Sequence, residues 1–477
     1  MQFESLLFLV CLVGLCALFW SFPSRWQTLR KVVLLLASYG FYGLLDWRFP
    51  VFLLLATVGA YVCGAYLLKF EGERPRRGRP IVIGYVAVCI VLLFIFKYLT
   101  FFAGSFASVF GQQGPTFRLL LPIGLSFYLF MSVSYVIDCY RKTITKTPTL
   151  LDFSVYVGFF PHLVAGPIDR ARNFIPQLSS IGIFDSGLFT EGLRQMLYGY
   201  FKKLVIADNL NVIVGAVWSS YDQQNSLVIL VGAIAYSIQI YTDFSGYSDI
   251  AIGTGKLFGI RMMRNFSFPY FSRTVSEFWR GWHISLTSWF TEYLYIPLGG
   301  NRKGTRRTIF NTLIVFTLCG LWHGANWTFV VWGFLCGVLF IPLLLNAGSK
   351  ARWKSTPLQL NAVNIGHMML VFGGITLCWI FFRSDSLAQA FDILRCLVVN
   401  VGRPVSFGFI SITMAPVFFL LLLMFVCMEW AGHSRDFGLL FVQGKPRLYR
   451  WSVYVVLLFA IFFYFHSGDG QFIYQNF

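Results

Sequence analysis

Residues 309–345 read IFNTLIVFTLCGLWHGANWTFVVWGFLCGVLFIPLLL, a stretch without a single aspartate, glutamate, lysine or arginine. As one straight helix it would extend about 55 Å at 1.5 Å per residue, well beyond the roughly 30 Å hydrocarbon core of a bilayer. One span cannot use it all, so the stretch must break. The expected break is Cys319-Gly-Leu-Trp-His-Gly-Ala-Asn326, where two glycines flank a histidine and let backbone or ligand approach closely.

The rest of the chain agrees with a membrane reading. Of 477 residues, 57% are hydrophobic and 12% charged, against about 25% charged in a soluble domain, which excludes a water-soluble globule. Apolar runs recur from end to end without the alternation of barrel strands. Candidate spans are Leu6 to Phe22, Val32 to Leu45, Val51 to Leu68, Ile81 to Leu99, Leu119 to Val136, Leu227 to Tyr241, the 309–345 region, Met368 to Phe382, Met414 to Met428 and Ser452 to Phe465. The pattern predicts an all-α integral membrane protein, a polytopic bundle of about ten to twelve transmembrane helices with re-entrant and interfacial helices around a central polar chamber.

The net charge of +18 is held in short basic clusters between apolar runs, not in the continuous basic face that a nucleic acid requires. Arg25, Arg30 and Lys31 follow the first span, and Lys69, Arg74, Arg76, Arg77 and Arg79 the third, whereas Asp46 and Arg48 follow the second. Positive-inside asymmetry then sets the N-terminus outward and the Lys69 to Pro80 loop inward. Arg141, Lys142 and Lys146 after the fifth span agree. Glu4 precedes the apolar run Ser5 to Phe22 without a basic leader, so this segment reads as a retained first span. Ten scattered cysteines form no CxxC pair or metal-type cluster, and no repeat of fixed period is visible.

Val155 to Ala165, interrupted by Pro161, reads as a re-entrant segment. Leu188 to Ile206, with Glu191, Arg194, Lys202 and Lys203 among aromatics, suits an interfacial amphipathic helix. Asp243 and Asp249 are six residues apart and therefore on different helix faces, which excludes a paired acid and base. With Ser245, Gly246 and Tyr247 they are expected to hold a bent helix end. His162 is expected to stabilise the re-entrant loop, and His367, His433 and His466 to be interfacial.

His323 sits mid-way in the 309–345 stretch, and a titratable group at membrane depth costs enough to suggest function. An imidazole accepts a proton from an attacking hydroxyl near neutral pH, as acyl transfer from a thioester requires. A neutral histidine making one interhelical hydrogen bond is the plainer alternative, and the glycine and asparagine neighbours favour function. A second constellation is Val275-Ser-Glu-Phe-Trp-Arg-Gly-Trp-His-Ile-Ser-Leu-Thr287. At helical spacing Glu277, Arg280, His283 and Thr287 fall on one stripe, so Glu277 is expected to pair with Arg280 and present His283 beside a cation. A satisfied ion pair with interfacial tryptophans is the rival account.

Arg264-Asn-Phe-Ser-Phe-Pro-Tyr270, Glu277-Phe-Trp-Arg280, Trp282-His-Ile-Ser-Leu286, Tyr293-Leu-Tyr-Ile-Pro-Leu-Gly-Gly-Asn-Arg302 and Gly320-Leu-Trp-His-Gly-Ala-Asn326 resemble the bacterial membrane-bound O-acyltransferase family, in its alginate O-acetyltransferase branch. The resemblance also takes in Leu121-Pro-Ile-Gly-Leu-Ser-Phe-Tyr128, Phe160-Pro-His-Leu-Val-Ala-Gly-Pro167, Asp243-Phe-Ser-Gly-Tyr-Ser-Asp249 and Gln471-Phe-Ile-Tyr474, and so covers nearly the whole chain. It implies that His323 is catalytic and that His283 is a second motif histidine lining the reaction chamber. Glu277, Arg280, Trp322 and Asn326 are the candidate tunnel residues. The chain departs from the family where Arg280-Gly281 replaces Arg-Arg and Thr291-Glu292 replaces Arg-Asp, which lowers the charge beside the chamber.

The resemblance further implies a single membrane-embedded acyltransferase domain, 1–477, with N-terminal helices in 1–150, a catalytic core in 151–345 and C-terminal helices in 346–477. No cofactor is expected to be bound permanently; acetyl-CoA or an acyl-carrier thioester would be the donor. Expected partners are a periplasmic or membrane-anchored polysaccharide O-acetyltransferase acting as relay, the polysaccharide synthesis and secretion complex, and the bilayer of the bacterial inner membrane. Within this class the alternatives are acetylation of cellulose or peptidoglycan and D-alanylation of teichoic acid. A non-catalytic transporter is the rival from another class.

Overall fold

The computed structural model describes residues 3, 5–69, 74–112, 114, 115, 117, 119–164, 166–181, 183–345, 361–408 and 415–465. Glu4, Ala165, Met414, His466 and the tail motif Gln471-Phe-Ile-Tyr474 lie outside the described residues, as do positions 70–73. Among the described residues every regular element is a helix. Six are long and apolar enough to cross a bilayer: Phe49–Lys69, Arg77–Val109, Ser226–Leu257, Trp327–Leu345, Ala362–Arg383 and Arg447–Tyr464. Three shorter apolar helices are Leu6–Ser21, Leu125–Tyr140 and Pro416–Gly432.

Each apolar segment expected to span falls on helix, with shifted ends. The loop expected over Lys69 to Pro80 is shorter, because the next helix already begins at Arg74. The segment expected from Leu119 becomes helical only at Leu125.

The chain forms two compact units, Met1–Met196 with Tyr247–Met263 and Leu197–Gly246 with Arg264–Phe477. In the first, Phe49–Lys69 and Arg74–Leu93 both pack on Leu125–Tyr140. The segment expected to be re-entrant is two short buried helices, Leu150–Gly158 and Phe160–Leu163, broken at Phe159. The freed Phe160 N–H donates to Ser38 Oγ at 3.1 Å, which satisfies backbone that lipid could not. His162 lies fully buried 3.8 Å from Asp169, a polar partner for the loop histidine.

Two expectations are corrected. Leu188 to Ile206 is not a charged surface helix: Ser186–Tyr200 passes into a π-helical turn, Phe201–Ala207, that turns its lysines inward. Lys203 Nζ reaches Asp243 Oδ1 at 2.8 Å and Asp208 Oδ1 at 2.9 Å, and Lys202 donates to Ser245 Oγ at 3.0 Å. Glu191 pairs with Lys256 at 2.6 Å. Nor do Asp243 and Asp249 hold a bent helix end. Both lie within the helix Ser226–Leu257, and Asp249 Oδ1 accepts from Gln195 Nε2 at 2.7 Å. Each carboxylate is there to match a polar group on a different element.

The 309–345 stretch breaks where expected. Gly304–His323 ends at the histidine, and Trp327–Val338 and Ile341–Leu345 follow. The first two of these helices approach so closely that a Cβ at Gly320 would lie 2.1 Å from the Phe329 carbonyl oxygen. Glycine is therefore required there, and the contact fixes where His323 projects.

Candidate active site

His323 is the last residue of its helix and is 3% exposed, walled by Trp332 and Phe382 with ring centroids at 5.2 and 5.4 Å. His283 reaches the same place from a different kind of element. The helix Val275–Gly281 stops, Trp282 is extended, His283 adopts a left-handed conformation with φ 43° and ψ 53°, and a second helix runs from Ile284 to Phe290. A left-handed non-glycine residue costs about 1–3 kcal/mol and persists only where surrounding structure determines it. Gly281 admits this turn, because a Cβ there would lie 2.8 Å from the Ser267 carbonyl oxygen.

The two imidazole centroids are 6.3 Å apart, with ring planes at 50°. Phe244 packs edge-on against His283 at 4.6 Å. Among the described residues neither ring nitrogen of His283 has a hydrogen-bond partner, although the residue is 2% exposed. Burial lowers its pKa to about 3, so the ring is neutral at physiological pH.

Both rings face a cavity of about 310 Å³, the size of a small-ligand site. One wall is a stripe of the helix Gly304–His323: Thr312, Val315, Phe316, Cys319 and His323. The lining also includes Ser276, Trp279, Arg280, His283, Thr287 and Thr291, with Phe340 packed on Phe316 at 5.3 Å. The cavity is thus largely apolar, with hydroxyls along it and the imidazoles together.

The expected single stripe from Glu277 to Thr287 is not one helix, and Glu277 does not pair with Arg280. Glu277 instead turns back on Arg273, accepting from its Nη2 at 2.9 Å and from its backbone N–H at 2.8 Å. Its own N–H donates to the Thr274 hydroxyl at 3.1 Å. Thr274-Val-Ser-Glu277 is a helix-start signature that draws the carboxylate toward the N-terminus, and that signal was legible in the sequence. Arg280 is left exposed on the cavity wall, and among the described residues no carboxylate pairs with it.

Of the other candidate tunnel residues, Trp322 packs against both histidines, 6.1 Å from His283 and 4.9 Å from His323, behind the cavity wall. Asn326 is away from the cavity: its Oδ1 accepts from Thr328 N–H at 3.1 Å and its amide donates to the Asp385 carbonyl at 2.9 Å. It caps the next helix. The cavity also brings in Cys319 and Thr312, which the sequence reading had not singled out for function, and Thr291, one of the positions at which the chain departs from the family pattern. Cys319 precedes His323 by four residues, the helical repeat that places it on the same face.

A family profile described as MBOAT, membrane-bound O-acyltransferase family, matches residues 127–345. A Pseudomonas putida protein named "Probable alginate O-acetylase AlgI" is 38% identical over 370 residues, 76% of this chain and 74% of that protein. Its namesake from Azotobacter vinelandii is 38% identical over 411 residues, 83% of this chain and 78% of its own. A Helicobacter pylori peptidoglycan O-acetyltransferase is 32% identical over 409 residues, 79% of this chain and 74% of that protein.

Proposed function

The chain belongs to the membrane-bound O-acyltransferase family, and from that premise we propose that it passes an acetyl group from a cytoplasmic thioester donor across the membrane for O-acetylation of an extracellular, alginate-like polysaccharide. The observation that carries the site is the convergence of His283 and His323 on one cavity from separate elements. In this reading His323 is the general base. It takes the proton of the acceptor hydroxyl as that oxygen attacks the thioester carbonyl, and the proton then passes to the departing thiolate. His283, neutral and without a hydrogen-bond partner among the described residues, is free to hydrogen-bond donor or acceptor. Arg280 lies on the path of an anionic donor such as acetyl-CoA or an acyl carrier.

The cavity chemistry favours acetyl over D-alanyl transfer. A D-alanyl group carries an ammonium, whereas among the described residues the lining includes Arg280 and no carboxylate. An uncharged acyl group avoids that mismatch.

The chain would sit in the inner membrane with its N-terminus outward as a bundle of about ten to twelve spans, nine of them supplied by the six long and three shorter apolar helices, and a periplasmic or membrane-anchored transferase would be its relay to the polymer. Mass analysis of exopolysaccharide from cells with and without the gene tests the function. Loss of acetyl esters from an alginate-like polymer is expected. Loss from cellulose or peptidoglycan instead would replace the acceptor, and unchanged acetylation of all three would overturn the function.

A further inference from the structure

We propose that Asn265 and Ser285 are positioning residues that hold His283 in its left-handed conformation and so aim its imidazole into the cavity; the inference rests on the reading that His283 contacts donor or acceptor. Both residues are fully buried. The Asn265 carbonyl accepts from Ile284 N–H at 2.8 Å, and Asn265 Oδ1 accepts from the Ser285 hydroxyl at 2.6 Å. On the other side of the histidine, Ser267 N–H donates to the Gly281 carbonyl at 2.9 Å. Three hydrogen bonds from the segment 265–267 therefore straddle His283.

Ordinary helix formation does not account for this arrangement. The residue that begins the helix Ile284–Phe290 is expected to be extended and to cap the first turn with a short polar side chain. His283 holds that position left-handed and makes no side-chain cap. The helix forgoes its own cap, and the first free N–H, that of Ile284, is taken up by Asn265 instead. What the chain gains is the direction of one ring, which Phe244 then braces edge-on.

The test uses the full chain in membranes with its relay partner and acetyl-CoA as probe, reading kcat, KM and chain abundance. Asn265→Ala and Ser285→Ala are expected to lower kcat/KM about 10- to 100-fold, as a misplaced catalytic-site group does, and to move the same parameter, kcat or KM, that His283→Ala moves. Ser285→Thr, which keeps the hydroxyl, is expected to restore wild-type kinetics. Wild-type kinetics in either alanine variant that accumulates, movement of a parameter that His283→Ala leaves alone, or no rescue by threonine would each overturn the clamp. Failure of both alanine variants to accumulate would assign these bonds to folding and overturn it as well. A His283→Ala chain with wild-type transfer would instead remove the premise about His283.

Discussion

Lys203 Nζ lies 2.8 Å from Asp243 Oδ1, and the two side chains are 1% and 3% exposed. Removing Lys203 takes from the buried Asp243 carboxylate its closest cation, whereas Asp208, the other carboxylate that Lys203 reaches at 2.9 Å, is 29% exposed and keeps access to water. Lys203→Met should therefore cost about 3 to 5 kcal/mol and lower the amount of chain in the membrane. Adding Asp243→Leu removes the orphaned carboxylate and should restore much of that abundance, which quantitative immunoblotting and thermal melts in detergent would show. An unaltered melting temperature for Lys203→Met would refute a structural role for the pair.

Arg280 and Glu277 should separate in their effects, since Glu277 is tied to Arg273. Arg280→Ala removes an exposed side chain from the cavity wall, so abundance should hold while the KM for an anionic thioester donor rises. Glu277→Gln weakens a helix start worth about 1 kcal/mol and should lower stability slightly with KM unchanged. Parallel measurement of KM and abundance decides between this division and a shared role, in which both variants would lose abundance together.

How much of this was legible in the sequence follows from the physics of each feature. The break at Gly324 and the placement of His323 were, because an apolar stretch too long for one span and interrupted by glycines beside a polar group has few solutions. The inward turn of Lys202 and Lys203 was not. Amphipathic spacing assumes regular α-helical geometry, and the π turn at Phe201–Ala207 rotates both lysines toward partners more than forty residues away in the case of Ser245. The meeting of His283 with His323 was not derivable from periodicity either. It depends on a left-handed residue held by a distant segment, a local rule broken for a tertiary reason.

Cys319 offers a direct test of the cavity. It lines the same wall as His323, one helical turn away. In a chain whose other cysteines are replaced, Cys319→Ala should leave transfer close to wild type, since no step is assigned to the thiol. Modification of the native Cys319 with a bulky, membrane-permeant methanethiosulfonate should block transfer, and a reducing agent should reverse it. Full transfer by stoichiometrically modified protein would mean that the acyl group takes another route.

His323 is the residue on which the proposed chemistry turns. It ends a helix at a break, is buried among aromatic rings, and lines the cavity beside a second imidazole. A general base contributes about 10²- to 10⁴-fold, so His323→Gln should lower transfer by that factor at normal abundance. Glutamine is the stringent substitution, because it keeps polarity and the capacity for hydrogen bonding but takes no proton at neutral pH. His283→Ala should reduce transfer less, and through donor or acceptor binding, if that ring positions a reactant. A rival account in which His323 merely ties two helices together predicts the opposite pattern: glutamine tolerated, alanine unstable, and activity following abundance in both. Purified His323→Gln chain, folded as judged by its melting curve and supplied with donor and relay, separates the two, and wild-type turnover by that protein would leave the helix-tying role as the better explanation.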